Sequence, residues 1–161
     1  MSRSYGRGKL FVMTEKPTFP RLEHLGIVVD DLDAAVAFFT ELGLNSEGRG
    51  MVEGDAVDRI VGLRDVRSDV AMMRTPDGHA ALELIRYETP AGPSGDPDAP
   101  ANVPGLRHVL FEVADIKDTL GRLQAHGGEL VGELVNYENS FWLCYLRGPA
   151  GIIVELAQRV S

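Results

Sequence analysis

From His24 the chain reads "HLGIVVDDLDAAVAFF", and the spacing of its apolar residues changes partway along. Leu25, Ile27 and Val29 recur at every second position, the signature of a strand with one buried face. Beyond Asp31 the apolar residues Leu32, Val36 and Phe39 recur at helical spacing instead. Asp31 suits a helix N-cap because its carboxylate can accept the unpaired first-turn N–H groups, and Gly43 stands where a left-handed C-cap is needed. The same pattern returns at His108 as "HVLFEVADIKDTLGRL", with Asp115 seven positions after the histidine just as Asp31 follows His24. Here Ile116, Leu120 and Leu123 line the helix face and Gly127 follows the helix.

The later parts of the two segments repeat as well. "MMRTPDGHAALELI" and "CYLRGPAGIIVELA" each predict strand, Pro-Gly turn, strand, with Arg74 and Arg147 entering the turns. Between helix and hairpin, residues 51–63 and 129–136 predict a further strand, although "EGDAVDRIVGL" is equally compatible with a helical turn. Each unit is therefore βαβββ, present twice. The predicted class is α+β, with two tandem modules forming a curved mixed sheet cup. The expected boundaries are an N-terminal arm at 1–19, a first module at 20–87, a connector at 88–105 and a second module at 106–158. The connector carries five of the chain's nine prolines and no apolar periodicity.

Alternation also places the chemistry. If Leu25, Ile27 and Val29 lie under the helix, His24, Gly26 and Val28 face the other way, as do His108, Leu110 and Glu112 in the second module. In "ALEL" and "IVEL" the leucines and Val154 lie on the helix side, so Glu83 and Glu155 share the histidines' face. A carboxylate set among aliphatic residues is costly to bury without a partner. Two imidazoles and two carboxylates on facing surfaces would supply a divalent metal site. The alternatives for Glu83 and Glu155 are a salt bridge to Arg86 or Arg74 or an exposed position on an edge strand. Glu112, which faces inward by the same count, is either a supporting group or auxiliary base beside the site or the partner of an arginine. His79, in a turn, and His126, at a helix end, have ordinary structural explanations and are excluded as ligands.

Composition narrows the partners. With 16 Lys+Arg against 24 Asp+Glu the net charge is −8, which argues against nucleic acid and anionic membranes and for a small-molecule substrate. Cys144, the single cysteine, predicts a packed thiol within a strand. The apolar run "KLFVM" is too short for a signal segment or a membrane span, so a cytoplasmic location is expected.

These residues resemble the vicinal oxygen chelate superfamily, also called the glyoxalase/bleomycin resistance/extradiol dioxygenase superfamily, over about residues 20–158. The resemblance implies paired βαβββ modules around an open cup, with His24, Glu83, His108 and Glu155 in the His/Glu/His/Glu ligand positions typical of glyoxalase I. It implies one divalent ion (Zn, Ni, Co, Mn or Fe), a homodimer, and modules combined either within a chain or between two chains. It further implies a lyase or isomerase in which Glu83 or Glu155 takes a proton from the carbon beside a coordinated carbonyl. The alternative within the superfamily is a module that sequesters a drug or metabolite. Tyr137, Phe141, Trp142 and Tyr145, clustered in "NYENSFWLCYL", are candidates to line its cleft, although aromatic residues on a strand are more often core. An extradiol dioxygenase is the third reading. Two departures bear on substrate: Val28 stands where glyoxalase I usually carries an arginine, and Glu83 stands where the similar methylmalonyl-CoA epimerases usually carry glutamine.

Overall fold

The computed structural model describes residues 20–160; the predicted arm at 1–19 lies outside them. The first module runs β1 (His24–Val28), α1 (Leu32–Leu42), β2 (Asn45–Glu53), α2 (Asp55–Val61), β3 (Arg67–Arg74) and β4 (Ala81–Thr89). The second runs β5 (His108–Glu112), α3 (Ile116–Ala125), β6 (Glu129–Leu130), β7 (Val135–Tyr137), β8 (Phe141–Arg147) and β9 (Ile153–Arg159). One sheet has the order β1-β4-β3-β2; the other has β5-β9-β8-β6, with β7 also pairing β8. In each, the first strand is parallel to the last and the remaining neighbours are antiparallel, so both sheets are mixed and the class is α+β as expected.

Capping fixes the helices. Asp31 Oδ1 accepts from Ala34 N at 2.9 Å and Asp115 Oδ1 from Asp118 N at 3.0 Å, while Gly43 adopts φ 115° beyond α1. The middle strands depart from the simple pattern in both modules. In the first, β2 ends at Glu53 and α2 follows, flanked by Gly54 and Gly62, both with positive φ. In the second, the strand is split into β6 and β7, and the turn after β7 places Glu138 and Asn139 at φ 51° and 53°.

The helices, more than the sheets, decide how the modules sit. α1 packs on β3 and β4, α3 packs on β8 and β9, and α1 and α3 pack on each other. Ile27, Leu82, Leu84, Phe38 and Phe39 therefore share one buried cluster with Leu120, Leu123, Leu146, Val154 and Leu156. Cys144 belongs to that cluster, and burial raises its thiol pKa, as expected of a packed thiol. The opposite sheet faces, which carry the histidines, point away from this shared helical layer.

The connector is held down along its course. Arg147 Nη1 donates to Pro97 O at 2.8 Å, and Arg107 Nη2 donates to Ala99 O at 2.9 Å and Pro100 O at 3.2 Å. Gly151, at φ 77°, lies so close beneath that a Cβ there would stand 2.3 Å from Pro97 O. Gly151→Ala is therefore expected to lift the connector and to add backbone strain, lowering stability by about 1 kcal/mol or more. Limited proteolysis between Gly92 and Gly105 should become faster; an unchanged cleavage rate would show that the strap does not depend on this contact.

Candidate metal centre

β1 and β4 are parallel, with His24 opposite Ala81 and Gly26 opposite Glu83. That register brings His24 Nε2 to 3.5 Å from Glu83 Oε2. β5 and β9 repeat it, with Leu110 opposite Glu155, and His108 Nε2 lies 3.1 Å from Glu155 Oε2. Each histidine thus meets the glutamate of its own module through the same ring nitrogen. Among the described residues neither glutamate is taken by an arginine: Arg74 is engaged by Glu23 and Glu47, and Arg86 lies 3.9 Å from Glu88.

The other nitrogen of each ring is also engaged. His24 Nδ1 lies 2.5 Å from Glu23 Oε2, and Glu23 in turn accepts from Arg74 Nη2 at 3.2 Å. The hydrogen bond with His24 is the main reason the Glu23 carboxyl is held below its ordinary pKa, with Arg74 acting in the same direction against partial burial. His108 Nδ1 lies 3.3 Å from the Tyr145 hydroxyl. Burial, and then the charge of Glu155, push the Tyr145 phenol upward in pKa. Sequence reasoning gave neither Glu23 nor Tyr145 this place; the only signal for Tyr145 is its cross-strand pairing with Glu155, which requires the β8–β9 register.

The four predicted ligands form two pairs. Among the described residues, no group of three or more His, Cys, Asp or Glu side chains could hold a metal ion, so His24–Glu83 and His108–Glu155 are not brought together within one chain. Each pair supplies one imidazole nitrogen and one carboxylate oxygen, donors suited to a borderline divalent ion, but only half of a four-ligand set.

The remaining candidates fall elsewhere. Glu112 pairs with Arg159 at 2.7 Å. His79 is exposed in the hairpin turn, and His126 caps α3 with its Nε2 3.7 Å from Glu41. Of the aromatic residues, Tyr137, Phe141 and Tyr145 share the glutamate-bearing face by cross-strand register, whereas Trp142 alternates to the other side, packs against the core and lies under Lys117 Nζ at 5.5 Å. Trp142 thus takes the core position that aromatic residues on a strand more often hold, rather than the cleft. No described helix is long and apolar enough to cross a membrane.

Comparison with known proteins accords with the two-module fold. Residues 21–156 match the family described as Glyoxalase/Bleomycin resistance protein/Dioxygenase superfamily. The chain is 45% identical to a glyoxalase family protein from Bacillus cereus, with a TM-score of 0.85 over 94% of this chain and 100% of that one. It shares its fold at 21% identity and TM-score 0.60 with a glyoxylase/bleomycin resistance protein/dioxygenase domain from Frankia sp. EAN1pec, over 88% of this chain and 93% of that one. A glyoxalase I mutant from Zea mays gives 18% identity and TM-score 0.60 over 88% of this chain and 45% of that one. No curated protein matches the sequence. Two mixed sheets in repeated register, each with a histidine and a glutamate at equivalent places, together with a family match spanning both modules, establish that the chain belongs to the glyoxalase/bleomycin resistance protein/dioxygenase superfamily.

Proposed function

We propose that the protein is a metal-dependent lyase or isomerase acting beside a carbonyl of a small molecule, with its site completed across a homodimer. The observation that carries this reading is the repeated pair: His24 Nε2 at 3.5 Å from Glu83 and His108 Nε2 at 3.1 Å from Glu155, in the same strand register. Because the helices hold the two pairs on outward faces of one chain, His24 and Glu83 of one copy would meet His108 and Glu155 of a second. Superfamily members commonly bind a divalent metal and are often oligomeric, which supports the same reading.

A divalent ion held by these four side chains would polarise a substrate carbonyl. The two histidines and two glutamates would orient that substrate, and the two carboxylates would balance the charge of the ion. Glu83 or Glu155 would take the proton from the adjacent carbon, at its Oε2, as general base. Exposed Val28 and Leu110 would shield the reacting carbon from water on either side of the site. Val28 in place of an arginine leaves that wall without a charge to hold a glutathione carboxylate.

The test combines three measurements on the wild-type protein purified without chelator. Elemental analysis should give about one divalent ion per chain, since two copies complete two sites, and sedimentation should give a dimer. Incubation in D₂O with α-hydroxyketones, hemithioacetals or acyl-CoA thioesters should show enzyme-dependent loss of a carbon-bound proton by NMR, abolished when the metal is stripped. A metal-free protein that binds an aromatic drug or metabolite tightly would replace this reading with the sequestering one.

A further inference from the structure

An imidazole that ligates through one nitrogen carries its proton on the other, and whatever accepts that proton fixes the ring's tautomer and rotation. In both modules the glutamate of the pair stands on the Nε2 side, so Nδ1 is the nitrogen that needs an acceptor. The two modules find it in different places. The residue before His24 is Glu23, whose carboxylate lies 2.5 Å from Nδ1, while the residue across the sheet from Glu83 is Met72, whose thioether is a poor acceptor. In the second module these positions exchange roles. The residue before His108 is Arg107, which cannot accept and donates instead to connector carbonyls, while the residue across from Glu155 is Tyr145, whose hydroxyl lies 3.3 Å from Nδ1.

We propose that Glu23 and Tyr145 are the positioning residues that commit His24 and His108 to ligation through Nε2, and that they do so with unequal strength. Glu23 is a charged acceptor at short distance, splinted by Arg74, which is itself tied to Glu47 at 2.7 Å. Tyr145 is a neutral acceptor at longer range, held by ring contact with His108 at 5.1 Å between centroids. Charge-assisted hydrogen bonds are roughly twice as strong as neutral ones, so the His24 half is the more firmly set. This inference rests on the metal reading above for its purpose, but the ring geometry can be read with or without metal.

The experiment is ¹⁵N NMR of the zinc-loaded protein and of its Glu23→Ala and Tyr145→Phe variants, with backbone amide spectra as the control for folding. Wild type should show two protected downfield imidazole Nδ1–H signals. Glu23→Ala should abolish that of His24 alone and Tyr145→Phe that of His108 alone. Zinc affinity should fall about 10- to 100-fold for Glu23→Ala and by less for Tyr145→Phe. Both signals surviving in both variants, or zinc found on Nδ1, overturns the proposal. If the wild type takes up no zinc, the metal reading fails while the pairing is still decided from ring ¹⁵N shifts of the metal-free protein. There, each variant moving only its own histidine supports the inference, and neither moving overturns it.

Discussion

Glu155→Gln is expected to slow proton exchange from a carbonyl substrate by about 10²–10⁴-fold at saturating metal, the range typical of a lost general base. The substitution keeps the side chain's size and one coordinating oxygen but removes its negative charge and its basicity. The fold should survive, because Glu155 lies on the outward face of β9 rather than in the cluster formed by Val154 and Leu156. Metal affinity should fall as well, since one of two charge-balancing carboxylates is gone. Binding and chemistry are separated by measuring exchange across a metal titration: the affinity loss is overcome at high metal and the chemical loss is not. Glu83→Gln is the companion experiment, and the variant that retains substrate binding but loses exchange at saturation identifies the base. Full exchange in both variants would remove the carboxylates from the mechanism.

Phe38→Ala carries the largest expected effect on stability, about 3–5 kcal/mol, against the roughly 5–15 kcal/mol that holds a domain of this kind together. Phe38 is fully buried and packs edge-on against Phe39 at 5.2 Å between ring centroids. It also reaches into the second module: a Cβ built on Gly148 would stand 3.0 Å from Phe38 Cζ. The cavity would therefore open where the modules meet. The single tryptophan, Trp142, lies on β8 of the second module and reports on it by fluorescence. In urea, the midpoint read by Trp142 should fall together with the midpoint read by far-UV circular dichroism, at unchanged slope. A Trp142 midpoint that stays at the wild-type value would show that the modules unfold independently.

Much of this arrangement is legible from the chain alone, for a specific reason. Strand alternation has a period of two, so the placement of His24 and Glu83 on one face needs only a correct count, and the repeat supplies the same count again at His108 and Glu155. Asp31 and Asp115 are legible because an N-cap is a local device. The helix α2 is less so: "DAVDRIV" is short, and its identity is settled by Gly54 and Gly62 at its ends. The positions of Glu23 and Tyr145 depend on pairings that a sequence does not spell out, the second on β8–β9 register. Nor does alternation say how two faces are disposed toward each other. That is decided by α1 packing on α3, which joins the modules by their helical sides and leaves the two His–Glu pairs apart.

Two modules with the same His–Glu pair would, if alike throughout, offer a bound molecule two interchangeable orientations. The position across from each glutamate removes that degeneracy, because it holds the thioether of Met72 in one module and the phenol of Tyr145 in the other. On the proposed function, a substrate with one apolar end and one oxygen-bearing end would be seated one way round, and the base would meet one of its two faces. A difference between equivalent positions of the two modules would in this way turn a symmetric pair of ligand sets into a handed one, and handedness is what a stereospecific proton transfer would require.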